Sequence, residues 1–124
     1  EDGKRAVAAL KGTRFDLGQP GVQRWRGADR SPYGVAVDVQ YAECDVDAMV
    51  KAAEAAMPAW QKPGVDGRTG LCLGILAQLN KRSFEIAQAV MLTSGQGWMM
   101  AFQAGGPHAQ DRGLEAVAYA YREM

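Results

Sequence analysis

The sequence predicts a mostly α-helical fold with one short strand, and two observations support this prediction. From residue 46 onward, apolar side chains recur three and four positions apart, as on one face of an α-helix. Residues 35–41 (VAVDVQY) instead alternate apolar and polar side chains, which is typical of a half-buried strand. One strand cannot satisfy its own backbone groups. We therefore expect it to pair along an edge with the preceding loop, with a second copy, or with a segment outside the chain.

The segment before this strand predicts one helix and one long loop. Residues 2–11 (DGKRAVAALK) indicate a short helix that Gly12 closes. Residues 12–34 show no hydrophobic period and contain five glycines and two prolines, which favours an ordered loop.

The segment after the strand predicts five helices, whose ends are marked by capping and breaking residues. Asp45 is placed to cap the first of these helices, and Ser83 is placed to cap the third. Gly95 stops the third helix, and Pro107 suits the first turn of the last one. The predicted helices span residues 46–61, 67–81, 84–94, 97–104 and 107–124.

Length, charge and cysteine content limit the possible functions. The chain has 124 residues, of which 48% are apolar, with 14 basic and 14 acidic side chains. This balance argues against nucleic acid or an anionic membrane as a partner, since both require a positive surface. Cys44 and Cys72 do not make a disulfide framework, so we expect a cytoplasmic location.

The two ends of the sequence suggest that it is part of a longer protein. The chain begins at Glu1 without a methionine, and its last helical pattern runs to Met124 without a closing residue. We therefore expect residues 1–124 to form a single partial domain.

The stretch MMAFQAGGPHAQDRG at residues 99–113 suggests a phosphate loop or a break between helices. The nearby GQG at 95–97 lacks the third glycine of a dinucleotide fingerprint, and it follows a helical pattern where that fingerprint needs a strand. Two glycines followed by Pro107 are typical of a helix break, which is the interpretation we prefer.

The only histidine raises the question of a metal site. His108, Asp111 and Glu115 would share one helix face, but the pattern offers a single imidazole and places Arg112 on the same face. Metal sites are normally built from several histidines, cysteines and carboxylates without a cation beside them. The sequence therefore favours a solvated face or a polar contact with another domain, and no metal is predicted.

Neither cysteine is predicted to act as a nucleophile. Cys44 lies between Glu43 and Asp45, whose carboxylates disfavour the reactive thiolate. Cys72 lies on an apolar stripe and is expected in the core.

Arginines and aromatic residues alternate in the long loop, which suggests a stacking surface for nucleic acid or packing within the loop. The zero net charge of the chain favours packing within the loop. The residues concerned are Arg14, Phe15, Arg24, Trp25, Arg26, Arg30 and Tyr33.

Several motifs carry a family resemblance: MMAFQAGGPHAQDR followed by GLEAVAYAY, FDLGQPG at 15–21, SPYG at 31–34 and AAMPAW at 55–60. Together they resemble the N-terminal region of the aldehyde dehydrogenase-like proteins of phenylacetate degradation. More generally, a strand followed by DVDAMVKAAEAAMPAW and an arginine-led helix is similar to the opening of the aldehyde dehydrogenase superfamily. The first motif is the one specific to the phenylacetate branch.

The resemblance implies a parent enzyme that oxidises an aldehyde with NAD or NADP. In this branch the aldehyde is a semialdehyde formed after ring opening of a coenzyme A thioester. The chemistry uses a cysteine thiolate, hydride transfer to the nicotinamide and a glutamate-activated water. The family residues for these steps lie downstream of this chain. It would therefore be a non-catalytic piece, normally part of an α/β NAD(P)-binding domain, without catalytic or cofactor-binding residues of its own.

The resemblance also implies partners and a position for the helix that follows the break. That helix lies near the substrate entrance in the superfamily, so His108 and Arg112 would face a carboxylate or a coenzyme A phosphate there, unless both are ordinary surface residues. The expected partners are the remainder of the parent enzyme and further copies of the chain, with no nucleic acid and no membrane. Two alternatives stay open, a self-sufficient helical binding module and a small enzyme that uses Cys44 or His108.

Overall fold

The computed structural model describes residues 1–123, which form six helices and three strands. The helices are α1 (Asp2–Ala8), α2 (Val46–Gln61), α3 (Gly64–Lys81), α4 (Ser83–Ser94), α5 (Trp98–Gly105) and α6 (Pro107–Glu123). The strands are β1 (Thr13–Phe15), β2 (Val22–Arg26) and β3 (Val39–Cys44). The prediction of a mostly helical fold is therefore confirmed. Met124, which was predicted to belong to the last helix, lies outside the described residues.

Local sequence signals set several of the helix ends. The Asp45 carboxylate accepts a hydrogen bond from the backbone N–H of Ala48 at 2.8 Å, which is the cap predicted for α2. Gly95 follows α4 with a φ of 75°, a left-handed conformation that glycine adopts without steric cost and that ends the helix. Pro107 is the first residue of α6, where its missing N–H is of no consequence.

Several helix boundaries differ from the predictions, and the predicted helix 97–104 is shifted by one residue to Trp98–Gly105. Ser83 lies inside α4 and does not cap it, because its hydroxyl donates back to the carbonyl of Asn80 at 2.8 Å. The predicted helix 67–81 begins earlier, at Gly64. The predicted helix 2–11 ends at Ala8, because the chain tightens there into turns that lead to the left-handed Gly12.

The predicted isolated strand is the central strand of a three-stranded sheet, in the order β1-β3-β2. β1 runs parallel to β3 with Thr13 beside Val39, and β2 runs antiparallel to it with Trp25 beside Ala42. Both edges of β3 are therefore occupied within the chain. Of the three partners that the sequence left open for this strand, the preceding loop segment is confirmed, because both β1 and β2 lie within residues 12–34.

The predicted strand 35–41 is displaced toward the carboxyl end, to Val39–Cys44. Asp38 has a φ of 53°, a left-handed conformation that breaks an extended run at that residue. The alternation of apolar residues that begins at Val35 therefore crosses this kink, and Val35 remains 46% exposed while Val39 is buried.

The predicted loop 12–34 contains β1 and β2, so the assignment of this whole segment as loop is wrong. β1 has three residues and β2 has five, and their partner β3 lies more than ten positions further along the chain. Such short strands carry no readable period, and they form because a distant strand supplies their hydrogen-bond partners.

The helices pack around two small residues. α4 lies between α1 and α5, and α6 contacts both α5 and α3. Ala87 of α4 and Ala101 of α5 have no exposed surface. Gly3 lets α1 approach α4 closely, because a Cβ atom at this position would overlap the Phe84 carbonyl oxygen. The helix layer therefore depends on small side chains at its crossings.

Much of the apolar surface of the chain is exposed. The accessible surface is 8628 Å², whereas a compact monomer of this mass exposes about 6,500 Å². On α3, Leu71 is 52% exposed and Ile75 is 60% exposed. In the part of the chain that the structure describes, we find no helix with the length and apolar character to cross a membrane.

We predict opposite effects for two glycine substitutions. Gly3→Ala should lower the free energy of unfolding by about 1–3 kcal/mol, because the added methyl group overlaps the α4 backbone. Gly74→Ala, in the middle of α3 with no side chain and no other element within 4 Å of its Cβ position, should raise it by about 0.5–1 kcal/mol. Urea unfolding of the three proteins measures both changes. Equal stability of wild type and Gly3→Ala would contradict the packing of α1 on α4.

Candidate functional site

The stretch that contains the histidine forms a break between two helices, as the sequence predicts. The N–H of Gly106 donates to the carbonyl of Phe102 at 2.9 Å and completes the last turn of α5. α6 begins at the next residue, and the Gln110 amide in its first turns donates to the Ser83 hydroxyl at 3.1 Å. This hydrogen bond holds the start of α6 against the start of α4.

The two candidate entrance residues both lie on the surface of α6. His108 is exposed in the first turn of α6. Arg112 lies one turn later with its side chain 74% exposed, and its guanidinium pairs with the Glu115 carboxylate at 2.5 Å. The structure places these residues on one helix, and Glu115, which was considered with His108 as a possible metal ligand, is instead the ion-pair partner of Arg112. Within residues 1–123, no group of three histidine, cysteine or carboxylate side chains is arranged to hold a metal ion.

The GQG stretch connects two helices and has no strand before it. The Tyr33 hydroxyl oxygen lies 2.9 Å from the carbonyl oxygen of Gln96 and 3.1 Å from that of Gly95, so these two acceptors share its one hydrogen. The turn therefore presents acceptors that Tyr33 already engages, whereas a phosphate site needs backbone donors. The GQG turn therefore does not fit the phosphates of a nicotinamide dinucleotide.

Both cysteines are free and half-buried. Cys44 ends β3, opposite Val22 of β2. Cys72 lines a groove between α2, α3 and α6 together with Trp60 and Val117, so it is less buried than the core position that its apolar stripe predicts. The groove stays open because α2 makes few contacts with α3.

A cluster of charges occupies the face of the sheet. The Glu43 carboxylate on β3 accepts a hydrogen bond from Arg24 at 2.7 Å and a second one from Arg26, both on β2. Hydrogen bonds from these two guanidinium groups lower the pKa of Glu43 to about 2, from an ordinary value of 4.5. The cluster joins neighbouring strands and is a structural feature of the sheet.

The other arginines of the N-terminal segment also contact partners inside the chain. The guanidinium of Arg14 lies 5.2 Å from the centre of the Trp25 ring, and that of Arg30 donates to the Gly34 carbonyl at 2.8 Å. These contacts favour packing of the segment by its own side chains over a stacking surface for nucleic acid.

A cavity beside α4 was not predicted from the sequence. It measures about 620 Å³ and is lined by residues of the start of α1, by Phe84, Gln88 and Met91 of α4, and by Trp98 of α5. Gln88 is only 6% exposed, although glutamine is normally a surface residue. The spacing of 84, 88 and 91 along one helix face is the signal that could have identified this group.

The comparisons with known proteins agree with the architecture. No protein-family model matches the chain, and no curated protein matches it. Among solved structures, the chain is similar to an NAD-dependent aldehyde dehydrogenase from Burkholderia multivorans, with 53% sequence identity and a TM-score of 0.91. The similarity covers 98% of this chain and 22% of that chain.

The fold is therefore that of a segment of an aldehyde dehydrogenase. The high sequence identity over almost the whole chain supports the aldehyde dehydrogenase superfamily that the motifs suggested. The chain spans only 22% of the length of the Burkholderia enzyme, so the similarity by itself does not assign the activity of a whole enzyme to this chain.

We predict that the cluster on the sheet makes stability depend on acidic pH. A carboxyl whose pKa is lower in the folded chain stabilises the fold above the unfolded pKa, and this contribution is lost as the pH falls toward the folded value. For Glu43 the loss falls between about pH 4.5 and pH 2. Glu43→Gln should be less stable than wild type at pH 7, and the difference should shrink over this window.

Denaturant midpoints from pH 7 to pH 2 measure this effect. Glu54→Gln, which changes an exposed carboxylate of α2, is the matched control and should follow the wild-type curve. A constant difference between wild type and Glu43→Gln across the window would show that Glu43 does not keep a lowered pKa.

Proposed function

We propose that this chain is the non-catalytic N-terminal segment of an NAD(P)-dependent aldehyde dehydrogenase-like enzyme. The observation that carries the proposal is the 53% identity over 98% of the chain to 22% of such an enzyme. The similar enzyme is described as NAD-dependent, which favours NAD for the parent of this chain. The described residues offer no dinucleotide site, so the cofactor and the reacting cysteine belong to the remainder of the parent.

The exposed apolar surface supports the proposal that this chain packs against the remainder of a parent enzyme. The chain exposes about 2,000 Å² more than a compact monomer of its mass, an area comparable to a full protein–protein interface. Leu71 and Ile75 are four residues apart on α3 and more than half exposed, so they form an apolar stripe without cover. The remainder of the parent enzyme is the partner that would cover this stripe, and burial there contributes about 25 cal/mol per Å².

The substrate class proposed for the parent is the semialdehyde that follows ring opening of an aromatic coenzyme A thioester. Support comes from residues 99–118, whose sequence resembles the phenylacetate branch of the superfamily. In the structure these residues build α5, the helix break and α6. The break is formed by the glycines and the proline of this motif, so the motif has a defined structural role in the segment.

His108 and Arg112 are proposed to face the substrate entrance of the parent. Both are exposed on α6 and therefore accessible to an anionic substrate group, although Glu115 already pairs with Arg112. Arg112 would have to exchange this partner for the substrate.

The first prediction from this proposal concerns a chimera. Replacing the matched segment of the Burkholderia enzyme by this chain should preserve NAD-dependent aldehyde oxidation, because the two segments share fold and half of their residues. Absorbance of NADH measures the reaction. Ile75→Glu should lower the activity of the chimera by more than about tenfold, since a charge would be buried without a partner.

Two controls make the chimera decisive. Asn80→Asp introduces a negative charge at an exposed polar position on the opposite side of α3 and should leave the activity unchanged. In the isolated chain, Ile75→Glu should alter the free energy of unfolding by less than about 0.5 kcal/mol, since Ile75 is exposed there. An inactive but folded chimera, or an active Ile75→Glu chimera, would favour the self-sufficient binding module instead.

The second prediction concerns the entrance. In the active chimera, Arg112→Gln should raise KM for an aldehyde that carries a carboxylate by about threefold to tenfold and leave kcat unchanged, because a charge-assisted contact outside the reacting centre is lost. An aldehyde of similar size without a carboxylate is the control and should show no change. An equal change for both aldehydes would contradict a role in substrate binding.

The third prediction concerns association of the isolated chain. Apolar patches above a few hundred Å² are rare on monomers, so we propose that the chain forms dimers or larger assemblies through its exposed helix faces. Light scattering over a dilution series should show a mass that falls on dilution, together with binding of a hydrophobic dye. A monomer mass at every concentration without dye binding would contradict this and favour the self-sufficient module.

A further inference from the structure

An apolar groove separates the three-stranded sheet from α4. Phe15 of β1 and Val39 and Tyr41 of β3 form one wall, and Ile86 and Val90 of α4 form another. The rest of the apolar lining is aliphatic and consists of Val7, Leu10, Val37, Leu79, Ala89 and Leu92. The groove measures about 420 Å³, which lies within the range of about 300–1,000 Å³ for small-molecule sites. It is therefore large enough for a ligand with an alkyl chain.

The polar side chains in the lining all have partners within the chain. They are Arg82, Glu85 and Thr93. Two hydrogen bonds, of 2.9 Å and 2.6 Å, join the Arg82 guanidinium to the Glu85 carboxylate, so this pair carries no net charge. The Thr93 hydroxyl donates to the Ala89 carbonyl at 2.9 Å. Since the polar side chains of the lining are already satisfied, the interior of the groove favours an apolar chain.

The open end of the groove lies beside the charge cluster of the sheet. Along β3, exposure rises from 4% at Val39 to 43% at Tyr41. Arg26 is paired with Tyr41 across the sheet, and Arg24 is paired with Glu43, two residues further along β3. Side chains of paired residues project from the same face of a sheet, so both guanidinium groups lie on the face that forms the groove wall. Two guanidinium groups share one carboxylate there, which leaves one net positive charge.

The two arginines keep hydrogen-bond donors for an anion. Each guanidinium has five N–H donors, and Arg24 and Arg26 each reach Glu43 through one nitrogen. Their side chains are 60% and 63% exposed, so the remaining donors are accessible to a ligand. A carboxylate matches the planar donor pattern of a guanidinium. The groove therefore combines an apolar interior with a cationic mouth.

We propose that this groove binds a medium-chain carboxylate. The alkyl chain lies between the sheet and α4, and the carboxylate accepts hydrogen bonds from Arg24 and Arg26. From Ile86 to Thr93, α4 runs about 10 Å along the groove at about 1.5 Å per residue, which suits a chain of about eight carbons. The site includes neither of the two exposed residues of the α3 stripe, so it does not rest on the function proposed above.

Octanoate and octan-1-ol are a matched pair of probes, since they share chain length but only octanoate carries a charge. The chain has two isoleucines, of which Ile86 lines the groove and Ile75 is exposed on α3. In a methyl NMR titration of the dilute 124-residue chain at pH 7, octanoate should shift the Ile86 signal to saturation and leave that of Ile75 in place. Octan-1-ol should bind about threefold to tenfold more weakly, because it lacks the charge-assisted hydrogen bonds. Butyrate should bind at least about tenfold more weakly, because it buries four fewer methylene groups.

Substitutions at the mouth assign the preference for the anion. Arg26→Gln removes the net positive charge of the cluster and should make octanoate and octan-1-ol bind equally, whereas Arg26→Lys should keep the preference. Arg122→Gln, which removes a charge from an exposed position of α6, is the matched control and should also keep it. If Arg26→Gln does not fold, the comparison of the two probes on the wild-type chain still decides.

Several results would each overturn the proposal. An Ile86 shift that does not saturate, equal affinity of the two probes for the wild type, or a preference that survives in Arg26→Gln would do so. An Ile75 shift that matches that of Ile86 would indicate general binding to exposed apolar surface instead of a site. A shift of Ile86 with increasing chain concentration and no probe would show that a second copy fills the groove.

Discussion

The contact of α4 with α1 on one side and α5 on the other supports the rest of the helical layer. At its centre, Ala87 and Ala101 have no exposed surface, and Gly3 allows the backbones of α1 and α4 to touch. Close packing of small residues gains dispersion contacts and leaves no room for added atoms. α6 then packs against α5, and α3 packs along α6, so the order of the helices follows from this contact.

The same contact leaves large parts of the helices uncovered. Val7, Val39, Ala87 and Ala101 are the buried apolar residues of the described chain, whereas Ile75 on α3 is 60% exposed. Four mostly small side chains make a limited core for a chain of this length, since folding must offset a large conformational entropy. The small core supports the proposal that this fold is one layer of a larger enzyme, as does the similarity of the chain to 22% of an aldehyde dehydrogenase.

Sequence analysis succeeded where a signal is local and failed where it depends on distant partners. Asp45 and Pro107 mark helix starts because capping chemistry acts within one turn. β1 and β2 were not predicted, because a three-residue strand such as Thr13–Phe15 forms only when β3 supplies its hydrogen-bond partners. For the sites, the sequence pointed to the exposed His108 but missed Gln88, because a polar residue on a helix gives no sign of burial until its neighbours are known.

Carbene footprinting of α3 tests most directly whether the exposed faces of this chain are covered in an enzyme. The dilute isolated chain and the chimera with the Burkholderia enzyme would be labelled under the same conditions, and mass spectrometry would give the labelling of the peptide with Leu71 and Ile75. The account predicts strong labelling in the isolated chain and protection in the chimera, with each value expressed relative to the labelling of the same peptide in the unfolded protein. Equal labelling of the α3 peptide in both proteins would contradict the proposal that this chain is one layer of a larger enzyme.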